Sequence, residues 1–360
     1  MIEFFNNNMR IEKLSLSSEL LVDFLRDNNH QLIYYTPKYL EFINSISDKI
    51  EVFYYCLFDN SNQIIALMPL AKKTNKEMEV VINSLPFFGS HGGFLYNPKV
   101  KDKSIIQRQL METILDKLKN ENILSFTVIE NPFLPLDEFV FFDCGFDIID
   151  SRLGQFKDFK ELDDTLSTRE AILKSCHTKT RNAIRKGLSY NPKISIREDH
   201  ATLKWIQFLH EKSIKALNGK FKSLRVFESL LSAFPSPKHS RIFVGEINAK
   251  KVAALIVLLH ENYTVEYFTP VIDEDYKHTQ LLSALIYESM CILKDEGFSL
   301  WNWGGTWESQ EGVYRFKERF GSFTLPYRYF SKIFDQSIKK KTRNELTKEF
   351  NYFYTIKYNS

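Results

Sequence analysis

The sequence has few cysteines, and their spacing builds no recognisable framework. Cys56, Cys144, Cys176 and Cys291 are widely separated, with no CxxC pair and no His/Cys cluster at zinc-ligand spacing. This excludes a disulfide scaffold and a structural metal site as the basis of the fold. Scattered thiols are typical of a reducing compartment, so we expect a cytoplasmic protein that holds no metal.

Long apolar runs are also missing. The longest, VAALIVLL at 252–259, has the length of a buried strand and is too short to cross a membrane as a helix. The first residues, MIEFFNNNMRIEKL, lack the basic segment followed by an apolar segment that marks a secretory signal. We therefore expect no transmembrane segment.

An excess of charge of either sign is absent. The 48 basic and 45 acidic side chains leave a net charge of only +3, which provides no global attraction to nucleic acid or to an acidic membrane. We expect no stable nucleic-acid partner, and any anion site must be local.

With 44% hydrophobic residues in 360, the chain can bury more than one hydrophobic core, so we predict two domains.

What the sequence does contain is an internal repeat. Residues 52–73 show two β-rich runs joined by a turn at 59–62, and residues 241–273 show three such runs. An apolar-periodic helix follows in each half, at 103–122 and at 279–297. Each helix leads into a short strand, at 123–129 and at 298–303, and each half closes with a glycine followed by a last β segment.

This order predicts an α+β fold made of two tandem copies of one unit. Each copy should have a mixed, mostly antiparallel sheet flanked by helices. The boundaries that we derive are 1–155 for the first domain, 156–330 for the second and 331–360 for an amphipathic helical tail.

The order β-β-β-α-β-α-β resembles the GNAT acyltransferase fold, and its duplication resembles the Fem family of aminoacyltransferases that build peptidoglycan bridges. The stretches that carry this resemblance are YYTPKYLEFI (34–43), LPFFGSHGGFLYNP (85–98), HTKTRNAIRKGL (177–188) and WNWGGTWESQEGVYRFKERFGSF (301–323). Together they span most of the chain in the family's order. The resemblance implies two GNAT-like domains and transfer of an acyl group to an amine.

Two features depart from these relatives. The coiled-coil arm that some Fem proteins insert has no room in this chain, and the pyrophosphate loop of GNAT enzymes is absent from DEDYKHTQLLSAL (273–285). The donor therefore stays open among acyl-CoA, an acyl-carrier protein and aminoacyl-tRNA. Each of these would be a co-substrate, and we expect no permanently bound cofactor.

A basic stretch at 174–186 is the candidate anion site. On one continuous helix Lys174, Thr178, Arg181 and Arg185 would form a single stripe, with Ser175 or Thr178 as the N-cap. Arginine forks suit phosphate oxygens, although a basic run is often only a solvated face. Because the family resemblance adds weight, we predict phosphate binding by Arg181 and Arg185, with Lys179 off the stripe as a further candidate.

The segment GVYRFKERFG (312–321) carries the candidate catalytic residue. Val313, Phe316 and Phe320 should face the core of a helix that ends at Gly321, and Lys317 lies beside this apolar stripe. A lysine there is either a surface side chain or a cation at a cleft edge that stabilises an oxyanion. The Fem resemblance assigns Lys317 to transition-state stabilisation and places Phe316 in the cleft.

The preceding strand contributes further candidates. Gly304 and Gly305 allow a ligand to approach the backbone, while Trp301 and Trp303 should share one strand face, opposite Asn302. We expect Trp303, Gly304 and Gly305 to line the cleft.

Two residues are candidates for a general base. Glu266 should project from its strand on the face opposite Tyr267, and His278 lies at the start of the next helix. We also place His278 in the cleft. Each has an ordinary structural alternative, as an outward strand residue or a polar residue at a helix start. No Ser/His/Asp order, nucleophile elbow, P-loop or metal-ligand motif competes with these residues.

Two functions fit these observations. The first is an acyl- or aminoacyltransferase acting on an amine of a phosphate-linked cell-envelope precursor, either an aminosugar of a surface polysaccharide or a peptidoglycan stem peptide. The second is a non-catalytic module that binds a nucleotide-linked sugar. The basic helix serves both functions, whereas the Phe316–Lys317 pair favours the enzyme.

Overall fold

The computed structural model describes residues 9–27, 32–47, 49–85, 91–216, 219–261, 263–307 and 309–356. The chain divides into two compact units, the first formed by Met1–Arg152 and Pro326–Ser360 and the second by Leu153–Leu325. Part of the 85–98 motif, residues 86–90, lies outside the described residues.

The described residues form the following strands and α-helices in chain order. Up to residue 158 they are β1 (Arg10–Leu14), α1 (Glu19–Asp27), α2 (Pro37–Ser45), β2 (Ile50–Phe58), β3 (Ile64–Thr74), β4 (Val80–Ser84), β5 (Leu95–Tyr96), α3 (Lys103–Lys117), β6 (Ile123–Ile129), α4 (Glu138–Asp143) and β7 (Asp147–Asp158). They continue with α5 (Thr168–Ser175), α6 (Thr178–Ser189), β8 (Lys193–Arg197), α7 (His200–Ala216), α8 (Leu224–Ala233), β9 (Ser240–Ile247), β10 (Lys250–His260), β11 (Thr264–Ile272), α9 (Leu281–Asp295), β12 (Leu300–Thr306), α10 (Glu311–Glu318), β13 (Phe323–Ile333) and α11 (Arg343–Glu349). Short 3-10 helices lie at Ile33–Tyr35, Glu274–Thr279 and Gln336–Lys340.

The two units have matching sheets. In the first, the strand order is β1-β2-β3-β4-β6-β13, with β5 paired to β3; in the second it is β7-β12-β11-β10-β9-β8. One pair in each sheet is parallel, β4 with β6 and β11 with β12, and the neighbouring strands otherwise pair antiparallel within each sheet. The predicted α+β fold of two tandem GNAT-like units with mixed, mostly antiparallel sheets is confirmed.

The repeat extends to the end of each half. Helix α4 is followed by Gly145 at φ +80° and then β7, and α10 is followed by Gly321 at φ +79° and then β13. A left-handed residue just past a helix is the conformation that glycine adopts without a steric penalty. In both copies, therefore, the glycine before the last β segment ends the preceding helix.

The last strands of the two halves pair outside their own sequence half. Residues 153–158 of β7 pair with β12 in the second unit, and residues 329–333 of β13 pair with β6 in the first. The boundaries of the units consequently fall inside strands, at 152/153 and 325/326. Whereas we placed 326–330 in the second domain and 331–360 in a separate tail, the described residues from 326 to 356 group with the first unit.

Each unit has its own hydrophobic core. In the first, α3 packs on the sheet through Ile106, Leu110 and Ile114. The C-terminal segment packs in the same unit but in a separate cluster, in which Ile338, Leu346 and Phe350 contact Val81 and Leu124. In the second unit the core lies between the sheet and α5, α6 and α9, with these members in one cluster: Ile172, Ile184, Leu255, Val257, Leu285, Met290, Trp301 and Trp303.

Candidate active site

The parallel strands β11 and β12 stop pairing part of the way along their length. They pair at Thr264–Leu300, Val265–Trp301 and Glu266–Asn302, after which β11 continues to Ile272 and β12 to Thr306 without a further pairing to each other. In the first unit, by contrast, β4 pairs with β6 from Val80 through Ser84. Two parallel strands that separate at their carboxyl ends leave a gap in which a ligand can reach the backbone.

Asn302 and Gly304 shape β12 at this point. The register against β7 shifts between Asn302 and Gly304, and Gly304 has φ +73°. The Asn302 side chain donates from Nδ2 to Glu266 Oε2 at 2.7 Å and accepts at Oδ1 from the Gly304 amide at 2.8 Å. Asn302 thereby joins the bulge of one strand to the carboxylate of the other.

Glu266 lies inside this arrangement and is almost inaccessible, at 4% exposure. Its carboxylate is opposite Tyr267, which packs against Trp301 and Trp303 on the core face. The predicted direction of Glu266 and the shared face of the two tryptophans are both confirmed. Trp303, which we expected to line the cleft, is 2% exposed and belongs to the core.

Helix α10 buries Lys317 more deeply than Phe316, the apolar residue beside it in the sequence. Lys317 is 6% exposed and Phe320 is fully buried, whereas Phe316 is half-buried against Trp303. Val313 is 46% exposed, so the prediction that it faces the core is wrong. The helix directs its second turn inward, where Lys317 finds acceptors, and leaves its first turn near solvent.

The Lys317 ammonium is held by three oxygens of β12. Its Nζ donates to Thr306 Oγ1 at 2.8 Å, to the Gly305 carbonyl at 3.3 Å and to the Gly304 carbonyl at 3.5 Å. Burial lowers the pKa of Lys317 to about 8, and the negative charge of Glu266 acts in the opposite direction. An ammonium has three protons to donate, so an incoming oxyanion would replace one of the two longer carbonyl contacts.

A chain of hydrogen bonds continues from this lysine. Thr306 Oγ1 donates to Gln155 Oε1 at 3.2 Å, and Gln155 Nε2 donates to the Tyr314 carbonyl of α10 at 3.0 Å. Thr306 and Gln155 are both fully buried. Sequence reasoning missed both residues, because Thr306 lies in the 301–323 stretch without a role that its residue type indicates, and Gln155 lies far from Lys317 along the chain.

The basic stretch forms two helices and not one. Helix α5 ends at Ser175, and α6 begins at Thr178 with His177 as its N-cap, where Nδ1 accepts from the Lys179 amide at 3.2 Å. The expected single stripe and the expected caps Ser175 and Thr178 are therefore wrong. Lys174 lies on the other helix and pairs with Asp163 at 2.9 Å, an acidic partner from outside the basic run.

The three predicted phosphate ligands lie on α6 in different environments. Arg181 is half-buried and already bonded, since it donates to the Cys176 carbonyl at 2.6 Å and to Thr178 Oγ1 at 2.9 Å. Arg185, one turn further along the same face, and Lys179 are exposed. Arg181 thus closes the junction between the two helices, whereas Arg185 and Lys179 present their charges to solvent.

His278 lies on the 3-10 helix Glu274–Thr279 and is exposed. Its Nδ1 is 3.0 Å from the Asp275 carbonyl, and its ring contacts Tyr190 and Tyr276. The residues that the structure joins to Lys317 are Glu266, Gly304 and Gly305 among the predicted ones, together with Asn302, Thr306 and Gln155.

A second buried lysine in the same unit forms hydrogen bonds at the ends of two helices. Lys157 is 1% exposed and donates from Nζ to Ser175 Oγ at 2.6 Å and to the Phe320 carbonyl at 2.8 Å. Burial lowers its pKa to about 8 as well. Ser175 is the last residue of α5, and Phe320 follows the end of α10, so Lys157 joins the ends of the two helices through a hydroxyl and a carbonyl oxygen.

Carboxylates come together in the first unit at Glu77, Glu79 and Glu349. Lys341 bonds both Glu79 and Glu349, and Asn75 donates to both as well. The Lys341 ammonium therefore offsets the negative charge of these carboxylates.

No protein-family model matches the sequence, and a search of curated proteins finds no match. The fold, however, is that of GNAT-like acyltransferases in duplicated form. FemX aligns with a TM-score of 0.68 at 12% identity, over 91% of this chain and 99% of that chain. A tandem GNAT protein from the clavulanic acid biosynthesis pathway aligns with a TM-score of 0.56 at 9% identity, over 91% of this chain and 98% of that one.

N-myristoyltransferase of Saccharomyces cerevisiae, solved with bound myristoyl-CoA, aligns with a TM-score of 0.51 at 9% identity, over 91% of this chain and 83% of that one. These alignments include both units, and the Fem and GNAT resemblance of the sequence is confirmed at the level of the fold. Within the described ranges, every helix is too short or too polar to cross a membrane.

Proposed function

We propose that the protein is an N-acyltransferase or aminoacyltransferase that acts on an amine of a phosphate-linked cell-envelope precursor. The observation that carries this proposal is Lys317, a buried ammonium bound to the end of β12 where β11 and β12 separate. Support also comes from the fold, because FemX, a tandem GNAT protein and N-myristoyltransferase align over nearly the whole chain.

In the proposed reaction, the acceptor amine attacks the carbonyl carbon of an activated ester or thioester without a covalent enzyme intermediate. The C–N bond forms, the carbonyl electrons move to oxygen, and the C–O or C–S bond then breaks. Lys317 stabilises the oxyanion by exchanging its contact with the Gly304 or Gly305 carbonyl for the new charge. A preorganised cation in a site that excludes water is effective because the low local dielectric strengthens the interaction.

Glu266 is the candidate that receives the amine proton, which the leaving alkoxide or thiolate finally takes up. Its carboxylate lies within the electrostatic reach of Lys317 and is oriented by Asn302. The cleft residues in this proposal are Gly304, Gly305 and Phe316, and His278, which is exposed and contacts Tyr190 and Tyr276, is kept as a further candidate.

The acceptor's phosphates are assigned to α6. Arg185 and Lys179 are exposed and free of the structural task that occupies Arg181, so the two should make the direct contacts. Replacing Arg185 with Gln is expected to raise KM about tenfold while kcat changes little, because a uniform binding interaction is lost. The matched control is Lys186→Gln, an exposed cation on the same helix; an equal effect of both changes would reduce α6 to a general basic surface.

The donor stays open among acyl-CoA, acyl-carrier protein and aminoacyl-tRNA. N-myristoyltransferase, solved with myristoyl-CoA bound, is a precedent for acyl-CoA on this fold, whereas the missing pyrophosphate loop at 273–285 argues against the usual CoA contacts. Any contact with tRNA would be transient, and no resident cofactor is needed for the chemistry. The four cysteines are free and buried, which supports a cytoplasmic location.

The test compares phosphate-linked sugar and peptidoglycan precursors by mass spectrometry in cells that carry the native protein, Lys317→Met or Lys157→Met. Both variants remove a buried ammonium, but Lys157 binds helix ends and not β12. We expect one precursor to lack a single acyl or aminoacyl mass in Lys317→Met cells only, provided that both variants are folded. Unchanged precursors, with binding of a nucleotide-linked sugar lost in an Arg185 variant, would instead identify a non-catalytic binding module.

A further inference from the structure

We propose that Thr306 and Gln155 are positioning residues that aim the Lys317 ammonium into the gap between β11 and β12. The inference rests on the proposed function of Lys317 and adds two residues to which the family resemblance assigns no role. Three elements are involved, namely β7 with Gln155, β12 with Thr306 and α10 with Lys317.

The direction of each hydrogen bond in this group is determined by the next one. The Gln155 amide is oriented because its Nε2 donates to the Tyr314 carbonyl at 3.0 Å, which leaves Oε1 facing Thr306. A threonine hydroxyl has one proton and two lone pairs, so donation to Gln155 Oε1 turns a lone pair toward Lys317. The shortest contact of the lysine, 2.8 Å, is with that oxygen.

The group closes on itself through α10. Tyr314 lies three residues before Lys317 on the same helix, so the connected path leaves α10 at a backbone carbonyl and returns to it at the lysine side chain. Gln155 and Thr306 are fully buried and Lys317 is 6% exposed, so water does not compete for these contacts. A satisfied buried network of this kind holds a side chain in one geometry, which a preorganised catalytic cation requires.

The alternative is that Thr306 only fills space. The packing role and the positioning role predict opposite orders for how well two substitutions at 306 preserve the site. Thr306→Val keeps the shape and removes the hydroxyl, whereas Thr306→Ser keeps the hydroxyl and removes a methyl group. If packing were the role, valine would be the better replacement, because the loss of a buried methyl leaves a small void. If positioning is the role, serine is the better one.

The first measurement does not depend on activity. In protein labelled with 13C at lysine Cε, the Lys317 resonance is assigned by its absence in Lys317→Met and titrated with pH. Thr306→Val should lower the pKa of Lys317 by about half a unit or more, because the ammonium loses an acceptor. Thr306→Ser should leave it at the native value, and Gln155→Leu should lower it by less than Thr306→Val. Glu266, the charged group that acts on Lys317, is unchanged in all three.

The second measurement is acyl transfer to the precursor that loses an acyl or aminoacyl mass in the mass-spectrometric comparison of native and Lys317→Met cells. We expect Thr306→Val to lower kcat about tenfold or more with little change in KM, and Thr306→Ser to retain most of the native kcat. In the Thr306→Val/Gln155→Leu double variant the losses should be less than additive, since both residues act through one contact. Thermal unfolding of each variant shows whether a loss reflects instability.

The outcomes separate the two proposals. If valine and serine at 306 give the same Lys317 pKa, or if valine is as active as serine, the positioning role is overturned. If the pKa changes as expected but Lys317→Met retains full activity, positioning stands as a structural fact and the catalytic role of Lys317 is overturned.

Discussion

At the scale of single residues, the site depends on backbone positions that accept only glycine. Gly321 has φ +79°, and a Cβ there would be 2.5 Å from the Ser175 carbonyl oxygen and 3.0 Å from Lys157 Nζ. The lysine tip could move, whereas the backbone oxygen could not. The close approach of Gly321 to the end of α5 is thus possible only without a side chain.

Gly321→Ala should therefore lower the free energy of unfolding by about 2 kcal/mol or more, from positive-φ strain together with overpacking. Chemical denaturation monitored by tryptophan fluorescence measures it. The matched control is Gly312→Ala in α10, where a Cβ would meet no atom within 4 Å. That change should be neutral or stabilise by up to about 1 kcal/mol, since alanine is the better helix former. Equal destabilisation by both would contradict the argument.

Lys317 should also leave a signature in the pH dependence of stability. Its pKa in the folded protein is about 8, below the ordinary lysine value, so between these two values the unfolded chain binds more protons than the folded one. The free energy of unfolding therefore increases with pH across this window, by about 1.4 kcal/mol per pH unit for one such group. Below pH 8 the buried ammonium is charged and the contribution is constant.

The native protein should accordingly gain stability relative to Lys317→Met as the pH increases from 8 to 10. Urea unfolding of both proteins at several pH values measures the difference. Lys157, whose pKa is also lowered to about 8, is present in both and cancels. A difference that stays constant with pH would show that Lys317 titrates normally.

At the scale of elements, the contact between α6 and α9 is set by one small residue. A Cβ at Gly187 would lie 2.7 Å from Ala284 Cβ and 2.8 Å from the Gln280 carbonyl oxygen. The helix that carries Arg181 and Arg185 is therefore placed by a backbone approach to the first turn of α9. Any wider residue at 187 must move the basic helix.

We expect Gly187→Ala to destabilise the protein by about 1–3 kcal/mol, the usual cost of overpacking, despite the better helix propensity of alanine. Asn182→Ala, at an exposed position of the same helix, is the control and should be neutral or slightly stabilising. Differential scanning calorimetry distinguishes them. A stabilised Gly187→Ala protein would mean that the two helices tolerate a larger separation.

At the scale of the whole molecule, the two sequence halves exchange their last strands. β7 ends the first half but its residues 153–158 complete the second sheet, and β13 ends the second half but pairs with β6 in the first. The segment after β13 then packs Ile338, Leu346 and Phe350 into the first unit. The compact units are therefore not the sequence repeats.

This exchange predicts how fragments behave. A fragment of residues 153–325 contains all the strand segments of the second unit and should show a cooperative thermal transition by circular dichroism. A fragment of residues 1–155 lacks β13 and the C-terminal cluster, which exposes β6 and the side chains of Val81 and Leu124, so it should aggregate or remain unfolded. Adding a 323–360 peptide should rescue it. Independent folding of 1–155 would show that the exchanged strand is dispensable.

Much of this architecture could be predicted from the sequence, because its causes act over a few residues. Turn chemistry at Asp59, whose carboxylate accepts from the amides of Ser61 and Gln63, marks the hairpin of β2 and β3. Apolar spacing predicts α3 and α9, and the glycines at 145 and 321 end helices. Alternation along a strand was enough to place Glu266 opposite Tyr267.

Other features depend on residues that are distant along the chain, and only the tertiary structure decided them. Local pattern could not show that β7 and β13 pair outside their own halves, since strand pairing is chosen by the whole sheet. Nor could it show that Lys317 is buried and Val313 exposed, because the hydrogen-bond acceptors that make burial of an ammonium tolerable come from β12. The sequence alone determined which elements form and indicated Lys317 as the candidate catalytic residue, whereas the packing of those elements determined which groups Lys317 contacts.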